Sequence, residues 1–589
     1  MSVGSTAAAA ALPDLASLSL VDSDRAQSPA TDAAPAVAAT LVGVSLAALC
    51  EFAAAHAGQR LELGGALLPF EALTTAQVVD AVVRPATRGA GAGGSHCTFV
   101  QLLQRRGAAD ARGRPHVAPA TRFVSHAWSY PFADLLAALE GHAAGADAGG
   151  DAPPAYYWVD LLVCNQHAAL TAQVPPDWWS HTFRDSVASI GATVVVLQPW
   201  HAPVPLTRSW CLWEIFCSID TGASLEVALG PRERAALEDA LTQRYDDIAG
   251  ALSKIDTRRA CAAFPEDEER IKAAVSASSG GFGAVNSRIH ANLRRWLRTA
   301  AAELVARRRV TLGELHADTL ACTDNLIQLT GHQGKPRRAA AMSRRALELR
   351  RAELPKDHPA TLSAAQYLGM NLWVLGRYDA AEPILRDTLA RRTRVLGAAH
   401  RDTHMTRKYL GILLHYTDRL EDAEQMLRAA ALGHAAALGE AHPDALSSLL
   451  NLGILLRDAG GSAAARVEGE ATLRRVLGAR REVLGGLHPQ TLDACTHVAF
   501  ALEVRGELVE AEALLAESLQ GRLEVLGEGH WRTRQSARCL AEVQRKLHGF
   551  KRGFKHGFER GRRFVAAVSD CAPVVAEPET SDDDESSAA

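Results

Sequence analysis

Two hydrophobic rhythms divide the chain. Between Ala120 and Asp220, short apolar runs alternate with amphipathic stretches. TRFVSHAW (121–128), YYWVDLLVC (156–164) and ATVVVLQPW (192–200) read as buried strands, with PFADLLAALEGHAA (131–144) and TFRDSVASIG (182–191) as the helices between them. Strands alternating with helices at this spacing predict a parallel sheet wrapped by helices. In LTRSWCLWEIFCSID (206–220), Leu212, Ile215, Phe216 and Ile219 recur at i, i+3, i+4 and i+7, which predicts a helix with one buried stripe. Glu214 falls off that stripe, one turn after Trp210. A solvated carboxylate on an outer face and a catalytic carboxylate at the rim of an aromatic cleft both fit its position.

Ahead of this region, LAALCEFAAAHA, TTAQVVDAVV and TFVQLLQRR predict a helical segment over 41–118. Residues 1–40, mostly Ala, Ser, Asp and Pro, predict disorder. Residues 223–310 read as connecting helices.

From residue 311 the second rhythm sets in. His316, His358, His400, His442, His488 and His530 are separated by 42, 42, 42, 46 and 42 residues. Four residues before each stands a leucine, and three before stands glycine, or Pro355 in one copy. Eighteen residues after come turn residues Gly334, Gly376, Asp418, Gly460 and Gly506. Twenty-three after come small ones, Ala339, Ala381, Ala423 and Ala511, with Gly469 in the copy carrying four extra residues. Each unit is thus two helices and a turn, with a helix stop before the next histidine. One helix pair cannot bury its own apolar face, so the units predict a right-handed solenoid.

LGRYDAAEPILRDTLARRTRVLGAAH and HPDALSSLLNLGILL resemble tetratricopeptide repeats of the 42-residue kind found in kinesin light chains. The resemblance covers roughly 311–545. It implies that a peptide or protein segment binds in the concave groove. The residues nine after each histidine, Asn325, Tyr367, Tyr409, Asn451 and His497, lie on the helix that lines the groove in that family. Their amide, phenol and imidazole groups suit contacts to an extended backbone, and burial between repeats is the alternative. A cargo adaptor of kinesin light chain type is one implication, although no long heptad run precedes the repeats.

Composition narrows the class. A net charge of −4 over 589 residues gives no whole-chain case for nucleic acid. Ten scattered cysteines without a CxxC pair predict reduced thiols in a cytoplasmic protein. No apolar run approaches the roughly 20 residues that cross a bilayer. The tail KLHGFKRGFKHGFERGRRF (546–564) is basic and SDDDESS (581–587) acidic, and 546–589 reads as a disordered extension.

Residues 119–222 resemble a divergent Toll/interleukin-1 receptor (TIR) domain, a flavodoxin-like parallel sheet. FVSHAW, YYWVDLLV and FRDSVASIGATVVVLQPW carry the likeness, and LTRSWCLWEIF matches the W-C-L-x-E-L run of plant TIR domains. In enzymatic members the glutamate of that run cleaves the nicotinamide–ribose bond of NAD; Glu214 stands there. Loss of nicotinamide leaves an oxocarbenium-like ribose that a carboxylate can stabilise. Adaptor members keep the fold and signal by self-association. Seven of the ten tryptophans crowd into this region, where some could stack on a base. Trp128, Trp179 and Trp210 are the candidates, with Asp160 and Asn165 as polar contacts after the second strand. His126, Cys164, His167 and His181 match no compact metal-ligand spacing, so no metal is expected.

The expected protein is therefore an interaction scaffold that needs no cofactor, with a TIR-like association domain. The alternative from a different class is an NAD glycohydrolase using Glu214 and regulated by the repeats.

Overall fold

The computed structural model describes residues 41–146, 154–167, 182–243, 257–262, 265–278, 281–458, 462–528 and 530–553. The expected disorder of 1–40 and of the tail beyond 553 lies outside them, as do Trp178, Trp179 and His181.

The three expected strands are β5 (Arg122–Ser125), β6 (Tyr156–Trp158) and β7 (Ala192–Val196). With β1 (Val42–Ser45), β4 (Val117–Pro119) and β8 (Ser224–Ala228) they form a six-stranded sheet of order β4-β1-β6-β5-β7-β8. β5 pairs in parallel with β6 (Phe123 opposite Trp158) and with β7 (Val124 opposite Val194), and β7 with β8 (Ser224–Ala228). Counted from β5, the parallel strands run 2-1-3-4, the flavodoxin-like winding, whose chain reversal falls between β5 and β7. Helices α5 (Phe132–Ala146), α7 (Thr182–Ile190) and α8 (Ser209–Thr221) flank the sheet. α8 follows the stripe read from the sequence: Leu212, Ile215 and Phe216 are buried, and its end is closed by Gly222 in the left-handed region (φ 77°).

Ahead of the repeats, three readings need correction. The segment 41–118 is not only helical. Beside α1 (Leu46–His56), α2 (Thr75–Val78), α3 (Arg84–Thr87) and α4 (Phe99–Arg105) it holds β1 (Val42–Ser45), β4 (Val117–Pro119) and the hairpin β2 (Arg60–Leu63)–β3 (Ala66–Pro69). β1 pairs antiparallel with both β4 and β6 and widens the sheet beyond its parallel part. Strands of three or four residues are too short to show a period of two next to an Ala-rich helix. The connector likewise contributes β8, a five-residue edge strand with only Ala228 buried. YYWVDLLVC is not one strand: it turns at Val159 into α6 (Asp160–Val163), whose first amide Leu161 N–H is taken by the Asp160 carboxylate at 2.8 Å.

Beyond β8 come α9 (Pro231–Gln243), α10 (Pro265–Ala277) and the 32-residue α11 (Gly281–Leu312), about 48 Å long at 1.5 Å per residue. The repeats follow as five helix pairs and a closing helix: α12 (Ala317–His332) and α13 (Pro336–Glu353), α14 (Pro359–Val374) and α15 (Tyr378–Val395), α16 (Arg401–Tyr416) and α17 (Leu420–Leu438), α18 (Pro443–Asp458) and α19 (Ala463–Leu484), α20 (Pro489–Arg505) and α21 (Leu508–Val525), then α22 (Trp531–Gly553). α22 continues through 546–553, which the sequence reading gave to a disordered tail; Lys546 pairs there with Glu503 and Glu542.

The repeating histidine is an N-cap. In all six copies its Nδ1 accepts the backbone N–H two residues on, at 3.1–3.3 Å, where Ser or Asp usually serves. The turn residues Gly334, Gly376 and Gly506 take positive φ, as does Asp418 at 57°. Ala339, Ala381, Ala423 and Ala511 are fully buried. At Gly469 a Cβ would meet the Gly453 carbonyl and Leu456 at 3.0 Å, which explains the smaller residue there.

A second periodic residue escaped the sequence reading. Eight residues before each histidine stand Arg308, Arg350, Arg392, His434, Arg480 and Arg522. Each arginine donates from one terminal nitrogen to the carbonyl two residues beyond the histidine: Asp318 at 3.4, Ala360 at 2.8, Asp402 at 2.8, Gln490 at 2.7 and Arg532 at 3.4 Å. His434 instead bonds Ser448 Oγ at 2.8 Å and Arg401 O at 3.2 Å. The second helix of each unit is thereby stapled to the first helix of the next. Because Arg308 sits on α11 in the same register, α11 acts as the outer helix ahead of the first pair. Its apolar face continues the core of the sheet into α12 through Leu297, Ala301, Leu304, Cys322 and Leu326.

Candidate functional sites

Ser125 ends β5 and His126 follows it, both buried. Asp160 opens α6 just after β6, and α8 crosses beside them with Cys211 and Glu214. The groups meet at the carboxyl ends of β5 and β6, where open α/β sheets gather ligands. Trp128 Nε1 donates to Asp160 Oδ2 at 2.6 Å, and His126 Nε2 lies 3.9 Å from Asp160 Oδ1. The Cys211 thiol donates to the His126 carbonyl at 3.4 Å. Ser125 Oγ and both ring nitrogens of His126 make no well-aligned hydrogen bond among the described residues.

Glu214 is half-buried on α8. Burial pushes its carboxyl up to about 8; the Ser125 hydroxyl beside it pulls the other way, Asp160 adds to the rise and Arg208 opposes it. Burial lowers His126, against the pull of Asp160, so the imidazole is neutral. The Cys211 thiol is held far above its ordinary value by burial and then by Glu214, so it is no nucleophile. An imidazole lowered by burial, a carboxyl with a raised pKa, the Asp160 carboxyl group and an indole thus share one corner. Such pairs of differently tuned groups are what acid–base and electrostatic chemistry use.

Of the residues singled out in this region, Glu214, Trp128 and Asp160 come together. Asn165 does not join them: its Oδ1 accepts His167 N–H at 3.0 Å within its own loop. Trp210, one turn before Glu214, meets the connector instead, its Nε1 3.4 Å from Asp267 on α10. Trp179 lies outside the described residues. Ser125 and Arg208 were not read as neighbours of Glu214. Ser125 is 89 residues away in sequence, and only the strand order brings it near.

In the array, all five groove candidates are half-buried and each meets its own chain. Asn325 Nδ2 donates to the Leu241 and Thr242 carbonyls at the end of α9, at 2.9 and 3.0 Å. Tyr367 OH accepts from Gln328 at 2.8 Å. The Lys408 ammonium lies 4.9 Å from the Tyr409 ring centroid. Asn451 bonds back to Ser447 O at 2.7 Å. His497 stands 3.5 Å from an Arg457 nitrogen, and burial, with Arg457, holds it down to about 3. Among the described residues no three His, Cys, Asp or Glu side chains are grouped as metal ligands, no disulfide joins the thiols, and no helix is long and apolar enough to cross a membrane.

Family models of the tetratricopeptide repeat match residues 318–394, 357–431 and 491–532. The helical array is a run of tetratricopeptide repeats. No curated protein matches the chain. Among solved structures, tetratricopeptide-like repeats described as kinesin light chain from Podosopora anserina share 20% identity, covering 34% of this chain and 94% of that one, at a TM-score of 0.28. BtubC (BKLC) from P. vanneervenii shares 16%, covering 46% and 96%, at 0.32. A Rap protein complexed with Competence and Sporulation Factor shares 14%, covering 54% and 97%, at 0.27.

Proposed function

We propose that the protein is an interaction scaffold whose tetratricopeptide array takes up an extended segment of a partner protein. The observation that carries this reading is the stack of five stapled helix pairs, which presents one inner helix per repeat along a common face. Tyr367, Tyr409, Asn451 and His497 are the contacts proposed for the partner, while Asn325 becomes available only when the end of α9 leaves it. The test is a peptide-array screen with the full chain, comparing wild type with Tyr409→Ala and Asn451→Ala. Peptides that bind wild type and lose affinity in both variants support the reading. Peptides that bind all three alike place the contact elsewhere.

A second reading is favoured by Glu214 itself. The α/β unit, with its likeness to TIR domains, would cleave the nicotinamide–ribose bond of NAD. The C–N bond breaks with its electron pair leaving on nicotinamide, water captures the ribosyl cation, and a proton is released. Glu214 as carboxylate would face the cation, and the positive nicotinamide ring would help it shed its proton on binding. Trp128 would offer a stacking surface and Asp160 would hold the indole in place. Nicotinamide release by the full chain, abolished in both Glu214→Ala and Glu214→Gln, would support this reading; no release from a folded wild type would end it. Self-association through the TIR-like unit is the non-enzymatic form of the same proposal.

A further inference from the structure

The long helix α11 reaches both ends of the repeat array. Its carboxyl-terminal half packs on α12, where the repeats begin. Its amino-terminal half touches the end of α21, in the fifth pair. Ser287 Oγ donates to Leu526 O at 3.1 Å, and an Arg294 nitrogen to Val525 O at 3.4 Å. The Arg294 carbonyl in turn accepts from Gln333, at the turn of the first pair, at 2.8 Å. One residue therefore joins the first and last helix pairs, whose bonded partners lie almost two hundred positions apart. Burial pulls the Arg294 guanidinium down to about 10. Beside it, Arg258 pairs with Glu524, and the neighbouring Thr257 is bonded to Asn286 of α11 at 2.7 and 3.0 Å.

The neighbour of Ser287 faces elsewhere. Arg288 pairs with Asp220 on α8 at 2.5 Å, and its guanidinium lies 6.0 Å from the Phe216 ring centroid. Asp220 and Phe216 belong to the helix that carries Glu214. Consecutive residues of α11 thus hold the last repeat and the Glu214 helix.

We propose that α11 is a clasp: it closes the repeat array end to end, and its release from α21 loosens α8. A partner segment that spreads or twists the array would pull on Ser287 and Arg294, and Arg288 would carry that movement to the corner around Glu214. A rigid helix is a suitable relay, because displacing one face of it displaces the other. The coupling does not depend on whether Glu214 performs chemistry; only its consequence for turnover rests on the NAD reading.

The structure supplies a matched pair of variants. At Gly527 an added Cβ would stand 1.9 Å from Ser287 Oγ and 2.7 Å from Ser287 Cβ, wedging α11 away. Gly485 occupies the same place one repeat earlier, with φ 86° against 83°, but has nothing within 4 Å. Gly485→Ala carries the backbone strain alone, and Gly527→Ala carries strain plus wedge. Hydrogen exchange on the full chain is the measurement. Gly527→Ala should raise exchange in both 281–294 and 209–221 by about tenfold or more, with Gly485→Ala leaving both within about twofold. Faster exchange in 281–294 with 209–221 unchanged would overturn the relay. No change in either would overturn the clasp. Should Gly527→Ala fail to fold, Arg294→Met removes the donor to Val525 without backbone strain and is read by the same two segments. If the folded wild type releases nicotinamide, a rise in that rate in Gly527→Ala would add the catalytic consequence, and failure of the NAD reading would leave the exchange result standing.

Discussion

The array and the sheet differ in how they use buried polar side chains, although some atoms in both lack a partner, Arg392 Nε and Arg480 Nε among those of the array. In the array each periodic arginine meets a main-chain carbonyl in the next repeat, and Arg350 and Arg522 also meet Asp324 and Asp493. At the strand ends, Ser125 and His126 are buried without well-aligned partners, and burial pushes the Glu214 carboxyl beside them up to about 8. Burying a polar group without compensation destabilises by about 1–3 kcal/mol. In the array such groups hold the fold together; at the strand ends the fold tolerates their cost, which is how sites for chemistry are made.

The contrast can be attacked first at the staples. Arg350→Ala leaves the Asp324 carboxylate buried and unpaired, and is expected to destabilise the array by about 3–5 kcal/mol. A urea midpoint close to that of wild type would remove the staples from the account.

Acid offers the next test. Burial holds His488, His530 and His434 down to about 4, and His497 to about 3, against an ordinary value near 6.5. The unfolded chain therefore binds more protons than the folded one as pH falls below about 6.5. Stability is full above that pH and is lost progressively toward 4. Two of these histidines are caps whose Nδ1 must stay unprotonated to accept. The melting temperature should drop between pH 7 and pH 5, and less so in His488→Asn, whose amide caps without titrating and keeps about 1 kcal/mol of cap energy. Equal drops would show that the caps play no part.

Glu214 should respond with the opposite sign. Its folded pKa is raised, so the folded state keeps a proton that the unfolded state has lost above about 4.3, and stability declines as pH rises through about 8. Glu214→Gln, which cannot ionise, should match wild type near pH 5 and melt higher at pH 9. A wild type that gains stability over that range relative to the variant would place the carboxylate in a satisfied setting. The smallest effect is expected on the outer surface, where Arg428 pairs with Glu468: Arg428→Ala should shift stability by less than about 1 kcal/mol.

What could be read in advance follows the same division. The array was legible because every copy solves one packing problem with the same residues: histidine at the cap, glycine or aspartate at the left-handed turn, alanine where the helices approach. Even so, the arginine eight before five of the six histidines escapes notice in the sequence, since a charged residue on a helix is ordinarily taken as solvated. In the sheet, β5, β6 and β7 stood out by their unbroken apolar runs, whereas β1, β4 and the edge strand β8 are partly exposed, with no such run to detect. Glu214 could be placed off the core stripe from periodicity alone. Its surroundings could not, because Ser125, Asp160 and Glu214 are joined by winding order rather than by sequence distance. Trp210, one helical turn from Glu214, shows the converse: nearness along a helix left it facing Asp267 instead.

The copy with four extra residues bears on how the array comes apart. The extra length is taken up in the outer helix, α19, which has 22 residues against 18 or 19 in the other four pairs, while the step from Arg480 to His488 stays at eight, as in every other copy. Growth or loss of sequence is thus tolerated within a pair and forbidden between pairs. The indivisible brick of this wall is the outer helix of one unit mortared to the inner helix of the next, so partial unfolding should cleave the array through the turns after Gly334, Gly376, Asp418 and Gly506 rather than at the histidines.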